Sequence, residues 1–320
     1  MLKWLEQAQY SLVLFTLFTQ ASVGAFWVLL VSDYLKRREP DAVQNAFTRV
    51  GTYILVPLTA LGLTFSTTHL GRPQYAFRAL THVGTSWLSR EVWSFSLFFA
   101  LVAVYTYLWW RRVPDGEFRR NVGVFTGVVG LLGILSQAMV YVIPGRPMWN
   151  HTSTIVLFGA STLTLGPLAV AAVYSLVWGR VIDRMAGEST IRRSHRRLGI
   201  TLLAGATAYV VGLTWRLSYL AAGAVSGGAV AGKAAVGKAT VQTGLTLGYQ
   251  VIQQNDVLLN LHIMLAAGVP LGLALALWYL HRREASLKLC NALVIAGLAL
   301  VTVGEFAGRA LFYMTGRPWF

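Results

Sequence analysis

Eight runs of about 20 mostly apolar residues constrain this chain more than any other feature, each cut off from the next by charge, proline or polar residues. A bilayer's hydrocarbon core is about 30 Å thick, and an α-helix needs roughly 20 residues to cross it. Hydrocarbon offers no partner to a bare peptide group, so such runs cross as helices that satisfy their own backbone. The runs lie near 10–33, 46–66, 88–110, 122–143, 154–177, 199–221, 258–280 and 288–313. They predict an all-α integral membrane protein with eight transmembrane helices, forming one transmembrane domain over 1–320. The first run is too long for a signal-peptide core and ends at Ser32-Asp33-Tyr34 without a small-residue cleavage site. It is expected to stay as a helix.

Only 12% of the residues are charged, against about 25% in soluble domains. With 55% hydrophobic residues and Cys290 as the single cysteine, disorder, a disulfide scaffold and a thiolate metal cluster are all excluded. The net charge of +15 would suggest nucleic acid in a soluble chain, but here the basic residues cluster between apolar runs. Lys36-Arg37-Arg38, Arg111-Arg112, Arg119-Arg120 and Arg192-Arg193 with Arg196-Arg197 are the main groups. The odd-numbered connections, counted with Lys288 at the edge of the last run, carry 16 Lys and Arg, while the even-numbered ones, counted with Arg90 at the edge of the third run, and the two tails carry 8. By the positive-inside bias, both termini are expected outside the cytoplasm, on the periplasmic side. The partner of this surface is lipid and not nucleic acid.

The connection over 222–257 stands apart as a Gly/Ala-rich outer segment, AAGAVSGGAVAGKAAVGKATVQTG running into GYQVIQQND. It reads as an irregular or partly helical insertion, although Gly228 and Gly232 also have the spacing of a close helix contact. No internal repeat stands out, which disfavours transporter folds built from duplicated halves.

An ionisable side chain inside a bilayer is costly, so each one needs a partner or a task. Glu91, Arg216, His262, Glu305 and Arg309 lie within or at the ends of spans, and all fall in the outer half. His69, Arg72, His82 and Arg90 belong to the same side. A proton channel or secondary transporter needs polar groups stepping across the whole membrane, and these stop at one depth. Oxidation of a quinol needs no more than this: two electrons leave by one route, and two protons pass to nearby bases such as a histidine and a carboxylate. An anchor without quinol chemistry is the bland alternative. Glu305 and Arg309, four residues apart, also have the spacing of an intrahelical ion pair, and the neighbours Arg90 and Glu91 point to different faces. His82 and His151 read as interfacial, His195 and His281 as solvated members of basic loops, and His262 as either a packing group or a pocket wall. Bis-histidine haem ligation needs facing pairs within spans, and only His262 lies clearly inside one. No haem is expected, and the sequence carries no C-x-x-C-H motif, P-loop or nucleotide fingerprint. Redox centres must then sit on partners, and no metal ligands are assigned.

Gly-Arg-Pro occurs three times, at residues 71–73, 145–147 and 316–318, each at the outer end of a span. Gly and Pro end helices for backbone reasons. The arginines have planar donors suited to headgroups, an acidic partner or a quinone oxygen. Docking or headgroup contact suits Arg146 and Arg317, and a site role suits Arg72.

The block His69-Leu70-Gly71-Arg72-Pro73, followed by Ser86-Trp87-Leu88-Ser89-Arg90-Glu91, resembles the membrane anchor subunit of bacterial dimethyl sulfoxide reductases. Pro147-Met148-Trp149-Asn150 and Gly304-Glu305-Phe306-Ala307-Gly308-Arg309 with Phe312-Tyr313 are similar to that family too. The resemblance implies a haem-free anchor of anaerobic respiration in the bacterial cytoplasmic membrane. Such an anchor oxidises menaquinol near the periplasmic interface. Its electrons would go to an iron-sulfur subunit with four clusters, then to a catalytic subunit holding molybdopterin. It also implies that His69 and Glu91 are the quinol-site histidine and glutamate, one as proton acceptor or hydrogen-bond partner and the other as proton exit; Arg72, Arg90, Glu305 and Arg309 are the expected quinol-binding groups beside them. The quinol head would sit between helices 2, 3 and 8. The length of the 222–257 connection departs from the family and falls where the iron-sulfur subunit should dock. The terminal acceptor is not encoded in this chain.

Overall fold

The computed structural model describes residues 9–35, 42–68, 73–112, 116–177, 184–229 and 236–316. Their regular structure is all helical, with no strand among the described residues, and eight helices are long and apolar enough to cross a membrane. In chain order they are α1 (Tyr10–Leu35), α2 (Ala42–Thr68), α3 (Trp87–Trp110), α4 (Gly116–Met139), α5 (Ser153–Val177) and α6 (Arg184–Ala229). A shorter helix, α7 (Val236–Gln254), follows, and the last two spans are α8 (Asp256–Arg282) and α9 (Leu287–Thr315). A 3-10 helix, Pro73–Leu80, leads from α2 toward α3. Within the Gly/Ala-rich connection, α7 is helical and lies against α6 and α9.

The centre of the bundle is α1 with α5, the two most buried spans. Both are rich in small and hydroxylated residues, and α5 carries no charged residue. Glycine makes their contact possible. A Cβ at Gly24 would fall on the Thr162 carbonyl oxygen, and a Cβ at Gly166 would fall on the Gly24 backbone. Where lipid tails are as apolar as the side chains, close backbone approach of this kind is a principal source of helix association. Around this seam α2, α4 and α6 form the inner contacts, α3 packs on α2 and α4, and α9 closes on α5, α8 and α1. Serine and threonine hydroxyls inside α1 and α5 bond back to carbonyls three or four residues earlier, so they add no bare polar groups.

At one end α1 and α4 are clamped by Arg119. Its Nε and Nη2 donate to the two Asp33 carboxylate oxygens at 3.1 and 2.9 Å, and its guanidinium lies 4.1 Å from the Trp109 ring centre. Removing one partner of such a buried pair costs more than the pair gains, because the other charge stays behind. The helix α8 is not regular. Residues Ile263–Gly268 form a π turn just before Pro270, which has no N–H to give to the preceding turn. The widened turn sits against Gly304 of α9, whose missing side chain admits Leu265 and Ala266. Such turns recur at functional sites, and this one follows directly on His262.

Replacing Gly166 with alanine is expected to separate α1 from α5 and lower the thermal midpoint of the purified protein. Gly159→Ala on the same helix meets nothing within 4 Å and is expected to be neutral. Equal midpoints for the two variants in detergent would contradict the seam.

Candidate functional site

The interior holds one connected polar band toward the α9 C-terminus, and it is built from helices distant in sequence. Arg309 of α9 is 5% exposed. Its Nη2 donates to Gln20 Oε1 of α1 at 2.9 Å and to Ser161 Oγ of α5 at 3.0 Å, and its guanidinium lies 3.7 Å from the Phe158 ring centre. Ser161 Oγ donates to Glu305 Oε2 at 2.8 Å. With its single proton committed there, Ser161 accepts from both Arg309 and the Tyr209 hydroxyl of α6, the latter at 2.7 Å. On the other side of Arg309, Gln20 Nε2 donates to Gln137 Oε1 of α4, and Gln137 Nε2 donates to Thr19 Oγ1, each at 3.0 Å. Gln137 also borders the Glu91 carboxyl of α3. Glu91 Oε1 and Glu305 Oε1 are buried acceptors without a hydrogen-bond partner among the described residues. Two carboxylates therefore stand at the ends of one band, with an arginine between them.

A cavity opens beside the Glu305 end. It encloses about 60 Å³, or about 590 Å³ counted with its open mouth. The polar wall is Ser161, Tyr209, Arg216, His262, Glu305 and Arg309, and Leu213, Leu217, Ile252 and Leu259 line the apolar side. Arg216 is fixed by Thr154 Oγ1 at 3.1 Å and the Met148 carbonyl at 2.6 Å, and it lies 4.9 Å from the Phe312 ring centre. His262 Nδ1 is 2.9 Å from the Gly304 carbonyl. A carbonyl only accepts, so Nδ1 carries the proton and Nε2 is left as a base. Gly308 makes room for this ring, since a Cβ there would fall on His262 Nδ1. An aromatic wall closes the rear: Tyr141 OH meets Tyr313 OH at 2.9 Å, and Trp149 stacks on Phe312 while its Nε1 donates to the Phe312 carbonyl at 2.8 Å.

The structure brings Glu91, Glu305 and Arg309 together, through Gln20, Gln137 and Ser161. Glu305 and Arg309 are not a direct ion pair, contrary to the i, i+4 expectation, because Ser161 stands between them. Arg90 does not join the band. Its Nε and Nη2 donate to the Val83 and Gly84 carbonyls at 2.9 and 2.7 Å, and it lies over Trp87, so it holds the loop before α3. His69 and Arg72 lie outside the described residues. His151 packs flat on Tyr219, and its Nδ1 accepts from the Ser153 N–H. Burial, reinforced by Arg216, keeps this imidazole below the usual histidine range. His195 is buried and stacked on His281, against the expectation of a solvated ring. Gln20, Gln137, Ser161 and Tyr209 escape a reading of the sequence; the available signal is two amides inside otherwise apolar spans.

Ser161→Ala removes the group that joins three helices and leaves Glu305 Oε2 and the Tyr209 hydroxyl without their buried partner. The expected cost is about 1–3 kcal/mol, read as a lower unfolding midpoint in detergent. Thr302→Ala, an exposed residue bonded only to its own helix, is the control and is expected to change little.

Comparison with known proteins places the chain in a family. The family model of the DMSO reductase anchor subunit (DmsC) matches residues 5–186. The protein is 30% identical to the YnfH chain of anaerobic dimethyl sulfoxide reductase from Escherichia coli K12, over 52% of its own length and 57% of that relative. It thus spans little more than half of that relative. Against the C subunit of anaerobic dimethyl sulfoxide reductase from the same strain it is 25% identical, over 95% of its own length and 94% of the relative. Among solved structures, a subunit of the bd oxidase from Geobacillus thermodenitrificans superposes with a TM-score of 0.69 at 12% identity, covering 99% of this protein and 87% of the other. That likeness shows a shared fold. The family match covers more than half of the sequence, and the membrane-spanning chain belongs to the DMSO reductase anchor subunit family.

Proposed function

We propose that the protein anchors a dimethyl sulfoxide reductase-type complex in the bacterial cytoplasmic membrane and oxidises menaquinol at the polar band. The observation that carries this reading is the band itself: two buried carboxylates, Glu91 and Glu305, held on either side of Arg309 beside a cavity that also presents His262 Nε2. A quinol releases two protons with its two electrons, and the site holds more than one acceptor for them.

In this reading the quinol ring enters from the apolar mouth past Leu213, Leu217 and Leu259. The enclosed part is narrow, so these side chains move aside as the ring arrives. Arg309 and Arg216 orient the head by donating to its oxygens, which stabilises the negative charge that develops as each hydroxyl proton leaves. Glu305 or His262 Nε2 takes the first proton. Protonation of Glu305 removes the negative charge next to Arg309, and the guanidinium then leans on Gln20, which connects through Gln137 to Glu91. Because amides orient but do not pass protons, the second proton travels by water along the Gln20–Gln137 edge to Glu91, which returns it toward the interface together with His69 and Arg72 from the segment preceding α3. This seat, among α5, α6, α8 and α9, differs from the one expected between the second, third and eighth runs, which are α2, α3 and α9. Glu91 is its proton exit.

The electrons pass to a four-cluster iron-sulfur subunit and from there to a molybdopterin subunit, the complex being docked on the side of the α9 C-terminus. Both termini and the site face the periplasm, and the anchor itself needs no haem. Proton release and terminal reduction then occur on one side of the membrane. Turnover in sealed vesicles is expected to be unchanged when the membrane potential is collapsed with valinomycin and potassium.

Glu305→Gln and Glu91→Gln keep the size of the side chain and remove the base. Each is expected to slow quinol-driven reduction of the iron-sulfur subunit by about 10²-fold or more, the usual range for loss of a general base. Complex assembly and turnover from a soluble dye donor that feeds the clusters directly should persist. Wild-type quinol oxidation in both variants would leave a structural anchor as the reading that survives.

A further inference from the structure

The far end of the bundle holds a second cluster that the quinol reading does not use. Cys290 and Arg309 are nineteen residues apart on α9, about 28 Å along a helix. There His195 of α6, His281 of α8 and Cys290 of α9 converge, with one potential ligand atom from each lying within 4.8 Å of the others. His195 is 1% exposed and Cys290 fully buried. The imidazoles are stacked, with centroids 5.3 Å apart and planes 12° apart. Both nitrogens of His195 and Nε2 of His281 are buried without a hydrogen-bond partner among the described residues. A neutral imidazole always carries one N–H, so an imidazole with neither nitrogen satisfied in an interior is an unfinished interaction.

We propose that His195, His281 and Cys290 form a binding site for a zinc-class divalent metal ion. Two imidazoles and a thiolate are a ligand set that such ions favour, leaving a fourth position for water. Metal bonds of about 2.0–2.3 Å place tetrahedral ligands roughly 3.5 Å apart, so the three side chains close by about 1 Å on loading. A groove of about 570 Å³, lined by His195, Arg196, Gly199, Trp278, His281 and Arg282, reaches the two imidazoles.

The surrounding arginines do not forbid a cation. Glu188 Oε1 takes both Nε and Nη2 of Arg192 at 3.0 and 2.9 Å. Arg196 and Arg282 are exposed, and Arg282 is stacked on Trp278. The thiolate offsets one charge of the metal. Arg192 Nη1 lies 3.3 Å from His281 Nδ1. Coordination through His281 Nε2 requires the proton on Nδ1, so on loading the Arg192 guanidinium moves away from His281 as one rigid plane, loosening its contacts to the exposed Glu188. The site joins three helices at one end of the bundle, and loading it ties α6, α8 and α9 together independently of any quinol chemistry.

The test uses the full-length protein in mild detergent with Co²⁺ as the probe. One Co²⁺ per molecule is expected, with a thiolate-to-cobalt absorption band and the intense visible bands of a tetrahedral centre, all displaced by Zn²⁺. Cys290→Ser should abolish the thiolate band, and His195→Gln and His281→Gln should each weaken binding by 10-fold or more. In case a variant does not fold, the wild-type protein gives a second readout: Zn²⁺ should slow alkylation of Cys290. The proposal is overturned if Co²⁺ binds without a thiolate band, if Zn²⁺ leaves alkylation unchanged, or if inorganic phosphate protects the thiol and Zn²⁺ does not.

Discussion

A guanidinium set among apolar helices has to find its acceptors inside the protein, and the arrangement of this bundle follows from how Arg309 does so. It reaches Gln20 on one side and Ser161 on the other, with the Phe158 face beneath it. Those contacts fix the rotation of α9 against α1 and α5, the two most buried spans. They also fix where Glu305 stands, one turn away and linked through Ser161. An unpaired charge at this depth would cost several kcal/mol. The band is thus a condition of folding before it is a site. The consequence for function is rigidity. Each polar group of the cavity wall is held by a second group, so the charges there are in position before a ligand arrives.

The band depends in turn on the α1–α5 seam. Gly24 and Gly166 let the two backbones approach until side chains are excluded, and Gln20 lies one turn before Gly24 on α1, close enough to share that approach. A bulkier residue at the seam would move Gln20 away from both Arg309 and Gln137. Small residues and amides in α1 therefore act together, although in the sequence they look unrelated.

The parts of this structure that could be read from the sequence are those with a large cost attached. Eight spans follow from the expense of bare peptide groups in hydrocarbon, and Glu91, Arg216, His262, Glu305 and Arg309 stand out because ionisable groups are rare in such runs. Gln20, Gln137 and Ser161 are not legible there, because an amide or hydroxyl in a membrane helix costs little and usually bonds to its own helix, as Thr16 and Thr162 do. Their partners lie more than 100 residues away, and only packing reveals them. Arg90 misleads for the opposite reason: its charge marks it, but loop carbonyls claim it. His195 is masked by its neighbours, since four nearby arginines suggest water and only the last turn of α8 and the first turns of α9 bury the ring.

The likeness to a bd oxidase subunit sharpens what the fold can and cannot carry. At 12% identity with nearly full coverage, the bundle is shared while its side chains are not, so function has to be argued from the groups each bundle encloses. In this protein the enclosed groups divide by depth. Glu91, Glu305, Arg216, Arg309 and His262 occupy one end, and the Asp33–Arg119 pair and an imidazole pair with a thiol occupy the other. The span between them is filled by apolar contacts such as Leu168, Leu202, Leu273 and Val294. Among the described residues, the buried ionisable groups lie toward the two ends and none lies in this middle. The link between the ends is mechanical. The helices α6, α8 and α9 contribute to both ends, so tightening them at His195, His281 and Cys290 would be felt at Arg216, His262 and Glu305.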